Sequence, residues 1–208
     1  MSGRSGSGDV RDWPHHVSMV FWAGPALSER ALTDEGAGVT LTGGDQQVGS
    51  AGFHGYERTV FLGNGSSRWA FASTEVLRWG VKTRSGFSVE SGGLSTSGAG
   101  FGHPVVAGDR YWLVAHLGPL RIREPVQVVA VVDKPDRKGF AYGTLAGHPV
   151  RGEEAFLVDR RVDGSVWLTI RSLTRPASGL WGAGYPVALL AQCLYRRRYF
   201  RSLCERGS

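Results

Sequence analysis

Residue types suited to acid/base chemistry gather in two stretches of this 208-residue chain, each among apolar neighbours. The first runs from Gly139 to Phe156. If Gly139–Leu145 is a strand, alternation puts Phe140, Tyr142 and Thr144 on one face, with Ala141, Gly143 and Leu145 on the other. On a returning strand, Glu154, Phe156 and Val158 share a face, opposite Glu153, Ala155 and Leu157. A face carrying Tyr142, Thr144 and Glu154 beside two phenylalanines has the make-up of a ligand pocket, with apolar walls and a few polar groups. Desolvation there raises the pKa of a carboxyl and fits it for general acid or base work. Tyr142 and Glu154 are therefore candidate catalytic residues, and Thr144 a candidate substrate contact. The bland alternative is that Glu153 and Glu154 face solvent or pair with arginine, and that Gly143 and Gly147 merely permit close packing. His148, in the loop joining the strands, is read as a loop anchor or a substrate contact.

The second stretch is a C-terminal helix over Pro186–Cys204. At 100° per residue, Leu189, Gln192, Cys193, Arg196, Tyr199, Phe200 and Leu203 fall on one arc, with Arg197, Arg198 and Arg201 opposite. Gln192 and Arg196 sit one turn apart within the apolar stripe. Burying either without a partner is costly. Each must meet a carboxylate, a carbonyl or a ligand, so Arg196 joins the catalytic candidates and Gln192 the binding ones. The bland outcome for Arg196 is a salt bridge to Glu153 or Glu154. The strand Gly164–Ser172 sets Val166, Leu168 and Ile170 against Trp167, Thr169 and Arg171. One face belongs to the core, and the other is exposed or lines a cavity, which makes Trp167 a candidate contact. Arg175, just beyond, is an anchor for Glu153 or Glu154, or else an exposed loop arginine.

These residues need elements to hold them. Residues 1–14 form a Ser/Gly/Arg-rich flexible tail, and 15–208 one domain, starting with a strand at His16–Trp22. Val17–Leu27 also faintly resembles a secretory signal, but Asp9 and Asp12 sit where basic residues belong. Tyr56–Leu62 reads as a strand, followed by a Gly63-Asn64-Gly65 turn, Ser66 as N-cap and a helix over Ser67–Trp79. Further strands are expected at Val81–Val89, Gly102–Val106, Arg110–Leu117, Val126–Asp133, Gly139–Leu145, Glu153–Arg160 and Gly164–Ser172. Asp163-Gly164 is the clearest hairpin turn. The fold is α+β: a strongly curved antiparallel sheet or barrel, with an early and a C-terminal helix, enclosing an apolar cavity.

The run Gly139-Phe140-Ala141-Tyr142-Gly143-Thr144-Leu145-Ala146-Gly147-His148-Pro149, followed by Gly152-Glu153-Glu154-Ala155-Phe156, resembles the signature of a bacterial and plant family catalogued as domain of unknown function nineteen-ninety. Leu32-Thr33, Gly63-x-Gly65, Trp79, Gln192 and Tyr199 fit the same pattern. Thr174-Arg175-Pro176 resembles the family's Ser-Arg-Pro with the hydroxyl kept. The resemblance covers roughly Ala31–Leu203. It implies a curved sheet around an apolar cavity, and no assigned activity; fold does not settle function.

Composition removes several classes. A hydrophobic content of 41% with 20% charged residues excludes a disordered chain. No run of about 18 apolar residues is present, so a membrane-spanning helix is not expected. Cys193 and Cys204 are too few for a disulfide scaffold, and the scattered histidines show no metal-ligand spacing. No Gly-x-Ser-x-Gly, Walker or dinucleotide pattern occurs, so no cofactor and no metal are expected. The net charge is +6, and only Lys82, Lys134 and Lys138 are lysines among 24 bases. That skew matches either codon bias or a polyanion surface, with Arg197, Arg198 and Arg201 as its centre. The leading reading is a cytoplasmic, cofactor-independent cyclase or isomerase of bacterial specialised metabolism, acting on a hydrophobic small molecule. A non-catalytic carrier using the same cavity is second, and a nucleic-acid binder third. The substrate and the oligomeric state are left open.

Overall fold

Seven strands pair antiparallel in the order β1-β7-β6-β5-β4-β3-β2 in the computed structural model, which describes residues 25–34, 38–42, 52–92, 102–117, 120–176 and 195–204. In chain order they are β1 (His54–Asn64), β2 (Phe87–Ser91), β3 (Arg110–Leu117), β4 (Leu120–Asp133), β5 (Arg137–Thr144), β6 (Val150–Arg160) and β7 (Ser165–Pro176). The first two strands in sequence are thus the two ends of the described strand order, and the sheet is curved. Between them lie α2 (Ser66–Val76) and α3 (Gly80–Thr83), while a one-turn helix, α1 (Val39–Thr42), precedes β1. Residues 195–202 form the described part of the C-terminal helix, α4.

The apolar alternation along the strands sorts side chains onto an inner and an outer face. Val126, Val128, Phe140, Phe156, Leu168 and Ile170 point inward and are buried against Trp69, Val76 and Trp79 from the α2–α3 segment and Tyr199, Phe200 and Leu203 from α4. Phe140 and Phe156 pack edge-to-face at 6.0 Å, and each buried ring contributes roughly 1.5–3 kcal/mol. On α4, Arg197, Arg198 and Arg201 are exposed opposite Tyr199, Phe200 and Leu203, as the helical arc predicts.

The outer face is covered by the segment before β1. Leu32 forms an isolated bridge with Leu145. The Arg110 guanidinium donates to three carbonyls of this segment, on Leu27, Ser28 and Arg30, at 2.7–2.9 Å. Glu153 accepts from the backbone N–H groups of Gly38 and Thr40 at 2.6 and 2.8 Å and from the Thr40 hydroxyl. It fastens α1 to the sheet from outside and takes no part in the inner face.

Three expected elements differ. Ser66 is the first helical residue, not the N-cap; Gly65 holds that position at φ 88°. Val81–Val89 is not one strand. α2 ends at Val76, Trp79 at a left-handed φ of 62° is the N-cap that starts α3, and only after Gly86 at φ 97° does β2 begin. Gly102–Val106 is a loop, tied by Val105 N–H to the Leu77 carbonyl at 2.8 Å. The expected tail, the strand at His16–Trp22 and Gln192 lie outside the described residues.

Gly152 tests the packing of the signature hairpin. Its φ is +139°, and a Cβ there would stand 1.9 Å from the Leu173 carbonyl oxygen, a backbone atom that cannot yield. Gly152→Ala is expected to destabilise the protein by about 2–3 kcal/mol, read as a lowered urea midpoint. Gly102→Ala, at φ +110° but with open space around it, serves as the control and costs about 1 kcal/mol.

Candidate functional site

One row of inner-face residues crosses five strands in register: Tyr56 (β1), Ser172 (β7), Glu154 (β6), Tyr142 (β5) and Val128 (β4). The expected alternation of β5 and β6 holds here, because Tyr142 is the cross-strand partner of Glu154 and Phe140 of Phe156. The Tyr142 hydroxyl donates to Glu154 Oε2.

Onto the same oxygen α3 lowers Lys82. Its Nζ lies 2.9 Å from Glu154 Oε2 and donates to the Tyr199 hydroxyl of α4 at 2.7 Å. Four rings surround the ammonium, those of Phe87, Tyr142, Phe156 and Tyr199, at 4.7–5.7 Å. Lys82 is 4% exposed, so its charge is held by the ion pair, the hydroxyl and the π faces in place of water. Burial, and then the Glu154 charge, pushes the phenols of Tyr142 and Tyr199 well above their usual range, so both stay protonated. Glu154 keeps 14% exposure, and its Oε1 makes no hydrogen bond with a described residue.

A second carboxyl stands near this cluster. Glu124 of β4 is pushed up to about 7, chiefly by burial; Lys82 pulls it down and Glu154 pushes it further up. It makes no hydrogen bond to a described residue and retains 20% exposure. Facing it is His148, whose Nδ1 accepts from the Val150 N–H at 3.1 Å. The ring proton therefore sits on Nε2, 3.9 Å from Glu124 Oε2. Burial, then Lys82, lowers His148 to about 3, so the contact is dipolar rather than an ion pair at neutral pH.

The other candidates are distributed as follows. Arg196 pairs with neither Glu153 nor Glu154: it donates to Ser172 Oγ at 2.9 Å and stacks 3.8 Å over Tyr56, one strand along the row from Glu154. Thr144 is spent on structure, binding the Thr33 hydroxyl and accepting the Gly152 N–H at 3.0 Å. Trp167 is on the outer face, where its indole N–H binds Ser165 and Arg161 covers its ring. Arg175 is outside too, paired with Asp34 at 3.0 Å and stacked on Phe53, not with Glu153 or Glu154. Both odd-numbered side chains follow the pleat away from Ser172 and Thr174.

Lys82, Glu124 and the hydroxyl of Tyr199 as a polar partner were not anticipated. Lys82 had one visible signal: a lone lysine between Val81 and Phe87 in an arginine-dominated chain. Glu124 stands beside Arg123 and Pro125 and reads as surface until β4 is seen to begin at Leu120. Among the described residues no three of His, Cys, Asp and Glu gather as metal ligands, and no helix is long and apolar enough to cross a membrane.

A family model described as a domain of unknown function, DUF1990, matches residues 36–202. A UPF0548 protein of Deinococcus radiodurans is 36% identical over 151 residues, covering 69% of this chain and 73% of that protein. A UPF0548 protein of Arabidopsis thaliana is 38% identical over 79 residues, covering 35% of this chain and 38% of that protein. Among solved structures, a hypothetical protein from Helicobacter pylori aligns with a TM-score of 0.49 at 10% identity, covering 77% of this chain and 91% of that one. Truncated norcoclaurine synthase from Thalictrum flavum aligns with a TM-score of 0.48 at 10% identity, covering 74% and 96%.

Proposed function

The chain belongs to the DUF1990 family, and for this member we propose a cofactor-independent acid/base enzyme, of the isomerase or cyclase type, acting on a hydrophobic small molecule held against the inner face of the sheet. One observation carries the reading: an ion-paired carboxylate, Glu154, stands near a carboxyl poised near neutrality, Glu124, with Lys82 acting on both. Two carboxyls in unlike environments divide the work of base and acid. Glu154 Oε1 takes a proton from a carbon or hydroxyl of the substrate, and Lys82 and Tyr142 hold Oε2 meanwhile. Glu124 delivers a proton to the site where the electron pair arrives, so the product is an isomer and no redox partner is needed. The next turnover requires the proton to return from Glu154 to Glu124, through substrate or water. Arg196, with guanidinium donors beyond the one that holds Ser172, adds hydrogen bonds and positive charge beside any oxyanion that develops.

The experiment is to incubate the protein with a hydrophobic metabolite extract and follow it by liquid chromatography and mass spectrometry. A compound that changes retention but not mass is the expected result. Glu154→Gln and Glu124→Gln should each slow that conversion by about 100-fold or more. The wild-type rate should fall above pH 7, as Glu124 loses the proton it must donate. A compound that is retained by the protein and recovered unchanged would defeat the enzymatic reading. It would favour a carrier, for which the mutual satisfaction of Lys82, Glu154, Tyr142 and Tyr199 already speaks.

A further inference from the structure

Away from this cluster, a groove of about 740 Å³ runs between α2 and α4. Its walls carry Arg68, Arg84, Arg198 and Arg201, with Ser67 and Phe71, and none of its described lining residues is acidic. The arginines are not equivalent. Arg68 is buried and donates to the Leu203 carbonyl at 3.1 Å, so it closes the carbonyl end of α4 and shapes the wall. Arg84 lies 4.9 Å over the Phe71 ring and is paired from outside the groove with Glu75 at 2.6 Å. Arg198 and Arg201 are exposed and form no ion pair with a described residue. Ser67, in the first turn of α2, adds a hydroxyl near backbone N–H groups that have no intrahelical acceptor.

A guanidinium fork binds a phosphate through two oxygens, and a phosphate of nearly two charges has oxygens for more than one fork. A single carboxylate would leave some of these donors unused. The groove is far larger than inorganic phosphate and falls in the range of small-molecule sites, roughly 300–1,000 Å³. Phe71 supplies an apolar floor for an organic moiety.

We propose that the groove between α2 and α4 binds a small organic phosphate, gripped by Arg84, Arg198 and Arg201 with its organic part against Phe71. This site is separate from the acid/base cluster and stands whether or not that cluster is catalytic.

The probe is phenyl phosphate, titrated calorimetrically into the full chain at low salt. Saturable one-to-one binding is expected, weakened about tenfold or more by Arg198→Gln with Arg201→Gln. Both side chains are exposed, so the double variant should fold normally, which its circular dichroism would verify. Arg197→Gln, exposed on the same helix but outside the groove lining, should leave binding unchanged. Lack of saturation by about 10 mM overturns the proposal, since affinities weaker than millimolar do not mark a built site. So does an equal loss in Arg197→Gln, which would mean diffuse attraction by the basic surface. An oligonucleotide of roughly 20 residues that binds with steep salt dependence and is not displaced by phenyl phosphate would overturn it in favour of a polyanion surface.

Discussion

Lys82→Met is expected to destabilise the protein by about 3–5 kcal/mol, the largest effect of any single change at the site. Methionine fills nearly the same volume, so packing against Phe87 and Phe156 is largely kept. What is lost is the charge that holds Glu154, whose carboxylate then remains between Tyr142 and the aromatic wall without a cation. Glu154→Gln leaves the converse problem, an ammonium among four rings with one hydroxyl acceptor. In the double variant neither charge is stranded, and most of the loss should be recovered. Urea denaturation of the four proteins at pH 7 gives the coupling directly. If Lys82→Met costs less than about 1 kcal/mol, the pair behaves as an exposed ion pair and its placement at the heart of the site is wrong.

The second large effect is a dependence of stability on pH, set by two neighbours with opposite signs. His148 takes up its proton near 6.5 when unfolded but only near 3 when folded. Between those values the unfolded chain binds more protons, so stability falls as pH falls, by about 5 kcal/mol in all. Glu124 runs the other way. The folded state keeps its proton up to about 7, whereas the unfolded chain loses it near 4.5, so stability falls as pH rises through that window, by about 3 kcal/mol. From about 4.5 to 6.5 the two slopes oppose each other and should nearly cancel. Below that window His148 dominates. His148→Asn, whose amide oxygen still accepts from the Val150 N–H, should flatten the acid limb. Glu124→Gln should be close to wild type at pH 4 and more stable at pH 8, where the wild type must hold a buried carboxylate. Thermal melts of both variants from pH 3 to pH 8 read the two limbs separately. Parallel curves for wild type and Glu124→Gln would show that this carboxyl is hydrated after all. A Glu124→Gln protein that is more stable yet inactive would fit a carboxyl retained for its chemistry.

Much of this arrangement was written in local pattern. Alternation alone places Tyr142 and Glu154 on one face with Phe140 and Phe156, because the pleat turns successive side chains to opposite sides whatever the sheet later packs against. The same rule assigns Val166, Leu168 and Ile170 to the core. The helical period separates Tyr199, Phe200 and Leu203 from Arg197, Arg198 and Arg201 in the described part of α4, and each fell where it predicts. Asp163-Gly164 does form the β6–β7 turn, with Gly164 at φ 80°.

Partner choice was not local. Alternation correctly separates Glu153 from Glu154, but only the segment before β1, folded over the outer sheet, turns Glu153 into a clamp for α1. That docking also claims Thr144 through Thr33 and Arg175 through Asp34. Lys82 was hidden by a left-handed Trp79, a conformation that sequence propensity disfavours and that surrounding packing imposes. Its contact with Tyr199 joins residues 117 positions apart. Glu124 depends on β4 extending past Pro125, and its pKa on neighbours from α3 and β6. Period and pleat are properties of consecutive residues, so the chain declares which side chains face inward. Which inward groups meet, and which of them keep an uncommitted oxygen, follows from how the helices and the segment before β1 settle on the two faces. Those are long-range packing outcomes, and they alone turn a polar stripe on β5 and β6 into a paired lysine and two unlike carboxyls.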